Sequence, residues 1–207
     1  WPAEDPLQRL LQRSLPAAQV MGWSQARGGA LASHAIDCQV AIGSLPHHFR
    51  NAPHEFPRAA YLVADAGRVA YWRARLAQLG DGLKIGISWR GGTLVTRRPL
   101  RSIELTQWLP ILRTPGVVPV NLQYGKCSEE LAALRGASNA DVAYWPEAIA
   151  DYDETAALIT ALDLVISVQT AVVHLAGALG KPAWVLVPAT PEWRYLQDGA
   201  TMPWYPA

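Results

Sequence analysis

After Gly80 the sequence settles into a rhythm that few folds accommodate. Short, nearly continuous apolar runs fall at Leu83–Ser88, Val117–Leu122, Val142–Tyr144, Leu164–Val168 and Ala183–Val187. Between them lie segments with helical spacing, at Leu105–Arg113, Ser128–Arg135, Asp153–Leu162 and Thr170–Leu179. Strands that are apolar on both faces and alternate with helices belong to a buried parallel sheet. Right-handed crossovers then turn the pattern into a Rossmann-like α/β domain.

The first eighty residues are less regular. Leu7, Leu10, Leu11 and Leu15 predict a helix over Pro6–Leu15, with Asp5 as its cap. Short strands are expected at Ala18–Met21 and Asp37–Ile42, and a linker or crossover over Leu45–Arg58, where Pro46, Pro53 and Pro57 interrupt regular structure. Asp65–Gly80 reads as a helix capped by Asp65, with Val69, Trp72, Leu76 and Leu79 on its apolar stripe and Gly80 at its stop. The division expected is a partial N-terminal α/β domain over residues 1–60, a connecting helix over 61–80 and a C-terminal domain over 81–207.

Composition excludes several classes of protein. The chain has 207 residues, 50% hydrophobic and 17% charged, enough to bury a core and too apolar for disorder. A net charge of +1 sets up no global field toward nucleic acid or an anionic membrane, so any anion site must be built locally. No apolar run approaches the ~20 residues of a membrane span. The N-terminus lacks the order of a signal peptide, and Cys38 and Cys127 read as free thiols, a single disulfide being the weaker alternative. A cytoplasmic protein is expected. With Trp rather than Met at position 1, the chain reads as a piece of something longer.

In an open parallel sheet, ligands sit beyond the C-terminal ends of the strands. After Leu83–Ser88 come Trp89, Arg90, Gly91 and Gly92, followed by Arg97, Arg98 and Arg101. The glycines allow close approach of the backbone, and the guanidinium forks suit phosphate oxygens. A solvated basic loop is the plainer alternative. After Leu164–Val168 come Gln169, Thr170 and Ala171, then a helix of small residues carrying His174. First-turn amides and the positive end of the dipole favour a diphosphate there. Thr170 as an ordinary helix cap, and His174 as a core residue, remain open beside that reading. Asp151-Tyr152-Asp153 matches an Asp-x-Asp metal motif, but its place just before a helix favours capping, so no metal ligand is expected. Trp193 and Tyr195, after the last strand, offer rings for stacking on a base or sugar. The fingerprint G-x-G-x-x-G is absent, which argues against a dinucleotide enzyme.

The run Ile166-Ser-Val-Gln-Thr-Ala-Val-Val-His-Leu-Ala-Gly-Ala-Leu-Gly-Lys-Pro182 resembles the donor-site motif of heptosyltransferase-like (family 9) glycosyltransferases of GT-B fold. Trp89-Arg-Gly-Gly, Arg101-Ser-Ile, Leu122-Gln-Tyr-Gly125 and Pro191-Glu-Trp-Arg-Tyr195 extend the likeness to the glycosyltransferase-like domain at the C-terminus of many bacterial tetratricopeptide-repeat proteins. The resemblance implies transfer of a sugar from a nucleoside-diphosphate sugar to a glycan, lipid or protein acceptor, without metal or other cofactor. It places Thr170, Ala171 and His174 at a diphosphate-binding helix and Arg101 at the phosphates; with the residues that follow the strands, the diphosphate set is Arg90, Gly91, Gly92, Arg98, Arg101, Gln169, Thr170, Ala171 and His174. Tyr124, Trp145, Glu147 and Trp193, also beyond strand-like runs, are the candidates for base and sugar. Gln169 stands where those enzymes usually carry Asp, and no catalytic base is assigned. The alternative is a catalytically inactive binding domain attached to tetratricopeptide repeats. An epimerase of the 2-epimerase type would need acidic and histidine partners that the sequence does not identify.

Overall fold

The structure, a computed structural model, describes residues 6–29, 32, 34–56, 59–92, 98–196 and 201–205. Its elements, in chain order, begin with the helices α1 (Pro6–Ser14), α2 (Trp23–Arg27), α3 (Leu45–Phe49) and α4 (Ala66–Ala77). Strand β1 (Leu83–Ser88) leads through 3-10 turns to α5 (Leu109–Leu112) and β2 (Val117–Asn121). Helices α6 (Ser128–Ser138), α7 (Pro146–Ala150) and α8 (Tyr152–Ala161) precede β3 (Leu164–Val168), and α9 (Ala171–Ala178) leads to β4 (Ala183–Leu186).

The four strands are parallel and lie in the order β2-β1-β3-β4. Gly86 pairs with Val120 on one side and Val165 on the other, and Val165 pairs with Ala183. Alternate residues feed two cores, one on each face. Ile85, Ile87, Ile166 and Val168 pack with Leu112 of α5 and Leu134 of α6. Val120 and Val165 pack with Leu10 of α1, Trp72 and Leu76 of α4, Leu158 of α8 and Leu175 of α9. Gly86 sits on that second face because a Cβ there would run into Leu122 and Leu162. The α/β/α arrangement expected from the sequence is therefore formed.

The order makes a topological switch: from β1 the chain moves out one way to β2, then returns past β1 to β3 and β4. The crossovers leaving β1 and β3 consequently run to opposite faces of the sheet, and a crevice lies at its C-terminal edge beside the first residues of the two loops.

The helix ends follow local chemistry. Asp65 caps α4 by accepting from the Arg68 amide at 2.8 Å, as expected, and Gly80 stops the following turn with φ 88. Asp151 caps α8, accepting from the amides of Asp153 at 2.8 Å and Glu154 at 3.4 Å. Asp153 forms a two-pronged pair with Arg13 of α1, 2.8 Å on each arm. The Asp-x-Asp carboxylates are thus spent on a cap and on docking α1 against α8.

The Arg13 guanidinium holds the Asp153 carboxyl below its ordinary value of 3.8, against the opposing effect of burial. A carboxylate depressed in the folded state contributes stability above its unfolded value and loses it as pH falls through the folded one. Asp153→Asn is therefore expected to cost about 1–3 kcal/mol at neutral pH. The gap in melting temperature from the parent should begin to narrow as pH falls below 3.8 and close only below the depressed folded value, where both chains lack the charge. A gap that stays constant down to pH 3 would mean the ion pair contributes nothing.

Three expectations are corrected. The strands predicted at Ala18–Met21 and Asp37–Ile42 do not form: 37–42 is exposed throughout, no strand among the described residues lies beside it, and Ile42 opens a 3-10 turn (Ile42–Ser44). A β-prone run without a neighbouring ladder or a face to cover has nothing to stabilise it. The predicted linker over 45–58 holds α3 and a 3-10 turn at Pro53–Glu55; Pro57 and Arg58 lie outside the described residues. Val142–Tyr144 makes a single bridge, Ala143 to Val120, because Pro119 lacks the amide a longer ladder on β2 would use. Cys38 is exposed and Cys127 buried, and both are free thiols, as expected. Among the described residues, no helix is long and apolar enough to cross a membrane.

Candidate functional site

A cavity of about 810 Å³ occupies the switch-point crevice. Residues after β1 (Arg90, Gly91, Gly92, Arg98, Arg101), after β2 (Gln123, Tyr124, Lys126) and after β3 (Gln169, Thr170, Ala171, His174) form its wall, and Tyr152 and Thr155 of α8 its floor. Among the described residues, the lining carries Arg90, Arg98, Arg101 and Lys126 and no carboxylate. All nine residues expected at a diphosphate, and Tyr124 from the base and sugar set, therefore line one cavity.

Close backbone packing brings the β1 and β3 loops together. Gly91 donates its amide to the Arg101 carbonyl at 3.0 Å. A Cβ on Gly91 would stand 2.6 Å from the Gln169 carbonyl oxygen, so no larger residue fits without parting the two loops. Arg101 crosses the same gap, donating from Nη2 to the Gln169 carbonyl at 2.9 Å. Its Nε, like Nε2 of Gln169, is buried without a hydrogen-bond partner among the described residues. Arg90 is less free: it donates to the Lys126 carbonyl at 2.7 Å and pairs with Glu130 of α6 at 2.8 Å.

The start of α9 forms the facing wall. Thr170 is the cap, its hydroxyl accepting from the Val172 amide at 3.2 Å and lying 3.1 Å from Ser167 Oγ. Capping and cavity lining are compatible, because the N-terminal dipole of α9 still faces the cavity over Ala171. His174, one turn in, is half-buried and lines the cavity rather than the core. Burial, then the Arg194 and Arg101 charges, push its imidazole below its usual range, with Glu192 opposing. It is neutral at pH 7.

Three candidates lie elsewhere. Trp145 and Glu147 do not line the cavity. The Trp145 ring packs 5.4 Å from that of Trp72, with the Arg75 guanidinium 5.0 Å over it, and Glu147 pairs with Arg75 at 2.7 Å. Both were placed by assuming a full strand at 142–144, and its absence turns them onto α4. Trp193 stands edge-on to Trp204, 5.7 Å away, beside a separate groove of about 520 Å³. Arg97 lies outside the described residues.

Gln123 was missed. It is 4% exposed, and its Oε1 accepts from the amides of Trp89 at 3.0 Å and Arg90 at 2.7 Å while Nε2 donates to the Tyr124 carbonyl at 3.0 Å. The side chain shapes the β1 loop from the β2 side. Its position just past β2 was the available signal, by the same strand-end rule that picked Arg90 and Gln169. Among the described residues, no group of three or more His, Cys, Asp or Glu is placed to hold a metal ion.

No family model matches the chain. Over 176 residues it is 41% identical to Protein FlbA of Caulobacter vibrioides, an alignment covering 83% of this chain and 29% of that protein. The chain thus spans less than a third of this curated relative's length. A solved structure, that of E. coli ADP-heptose lps heptosyltransferase II, matches over 66% of this chain and 43% of its own, at 16% identity and a TM-score of 0.47.

Proposed function

We propose that this chain binds a nucleoside-diphosphate sugar and belongs to a glycosyltransferase that passes the sugar to a glycan, lipid or protein acceptor without a metal ion. The observation that carries the reading is the lining of one cavity: four cationic side chains, of which Arg90 is paired with Glu130 behind it, and a helix N-terminus, with no carboxylate lining the cavity among the described residues. A diphosphate is doubly anionic and offers only acceptors, which matches this lining. In glycosyl transfer the same groups stabilise charge as it builds on the departing diphosphate, the task a metal performs elsewhere. In this reading residues 81–207 are the donor side, residues 1–60 represent the acceptor side, and tetratricopeptide repeats sit in the same full-length protein.

Calorimetric titration with UDP, GDP and ADP tests the proposal. Binding of at least one with micromolar to sub-millimolar Kd, weakening steeply with salt, is expected. No heat for any of them at millimolar concentration sinks it.

A second reading has its own support. Among the described residues the cavity wall holds no carboxylate, and His174 is tied through Nδ1 to Tyr205, so none of them is a ready general base facing the ligand. A catalytically silent binding domain would look the same. A donor-hydrolysis and transfer assay on the full-length protein separates the two: turnover supports the enzyme, and binding without turnover supports the silent domain.

A further inference from the structure

We infer that Tyr205 is a positioning residue whose hydroxyl donates to Nδ1 of His174, fixing the imidazole in the tautomer that leaves an N–H on Nε2 for the cavity. The chain brings the two together across 31 residues: Tyr205 Oη lies 2.9 Å from His174 Nδ1. The tyrosine ring has a prepared seat. It lies against Gly177, one turn beyond His174 on α9, where any Cβ would overlap its Cβ, Cγ and Cδ2 atoms. On its other side Tyr61 stacks at 6.4 Å with an interplanar angle of 21°. Tyr61 is itself fastened to α9, its amide donating to the Ala178 carbonyl at 3.0 Å. Glycine on the helix and a ring behind it leave the hydroxyl little choice of place.

The direction of the hydrogen bond follows from chemistry. A neutral imidazole has one N–H and one lone pair, and the partner of one nitrogen decides the state of the other. Arg101 and Arg194 face His174 and oppose a further positive charge, against Glu192. Tyr205 is half-buried, and that burial raises its hydroxyl pKa, so it keeps its proton at neutral pH. A phosphate oxygen is an acceptor only, so a useful His174 must offer it a proton. It does so without charge if Nδ1 accepts from Tyr205. The ligand requirement that selects this direction rests on the donor-site reading above; the hydrogen-bonded pair of Tyr205 and His174 does not.

Long-range proton–nitrogen correlation spectra of the chain labelled with ¹⁵N-histidine read the tautomer directly, the His174 signals being those absent from His174→Gln. The expected spectrum of the free protein at pH 7 shows Nε2 protonated and Nδ1 bare. Tyr205→Phe, which keeps the ring on Gly177, should shift His174 to averaged tautomers without lowering the melting temperature by more than a few degrees. Gly177→Ala, which evicts the ring, should do the same to the spectrum. In Tyr205→Phe, UDP, GDP or ADP affinity should fall by about 3- to 10-fold, the worth of one oriented hydrogen bond. An Nδ1–H tautomer in the parent, or unchanged His174 signals in Tyr205→Phe, overturns the inference. If the tautomer behaves as expected but no nucleoside diphosphate binds, the positioning holds and the donor-site reading fails.

Discussion

Replacing Arg101 by alanine is expected to weaken nucleoside diphosphate binding by roughly 10- to 100-fold, the cost of a lost charge-assisted hydrogen bond in a partly desolvated site. Arg101 reaches across the crevice from the β1 loop and donates to the Gln169 carbonyl at the foot of α9. Its guanidinium therefore belongs to both walls, and its buried, unpartnered Nε marks donor capacity that the protein itself does not use. Arg90, by contrast, is committed to Glu130 and the Lys126 carbonyl. Arg90→Ala should accordingly have the smaller direct effect on the ligand. Lysine at 101 keeps the charge but not the planar fork, and should recover only part of the loss. Titrating the three variants with the nucleotide that binds the parent, at one fixed ionic strength, checks the ranking. Equal affinity of the parent and Arg101→Ala would remove Arg101 from the site.

Truncating Trp72 to alanine should destabilise the fold by about 3–5 kcal/mol, the usual cost of emptying a buried tryptophan site. Trp72 is fully buried, packs 5.4 Å from the Trp145 ring and donates from Nε1 to Glu154 at 2.8 Å. Its loss leaves a cavity between α4 and α8 and removes one of the partners of Glu154, which keeps Arg68 at 2.7 Å. For a chain of this size the melting temperature should drop by about 6–20 °C. Phenylalanine refills part of the volume and forgoes the hydrogen bond, so its penalty should be about half. A fall of less than 2 °C in Trp72→Ala by calorimetry would show that α4 is not part of the cooperative core.

The two variants differ in what they disturb. Arg101 acts at the cavity, and its loss should appear in affinity more than in stability. Trp72 lies behind α8, and its loss should appear in stability first.

How far the site was legible differs from residue to residue. Arg101 and Thr170 reach the cavity because each lies in the segment that leaves a strand, and a parallel sheet delivers such segments to one edge. Trp145 and Glu147 were misplaced by the same rule, since the 142–144 run makes one bridge and turns them toward Arg75. Tyr205 was invisible as a partner of His174. Nothing local connects a tail tyrosine to a helix histidine, and only the gap above Gly177 brings their polar atoms together.

The sequence by itself determined the layers: short runs apolar on both faces had to become a covered sheet, and the capped, striped segments had to become its helices, because no other arrangement removes so much apolar surface from water. The strand order, the pairing of Arg90 with Glu130 and of Asp153 with Arg13, and the meeting of Arg101 with Gln169 were decided only in the tertiary structure. Those contacts join residues up to 140 positions apart, and a charge or donor selects its partner only after the backbone has set which groups lie within reach.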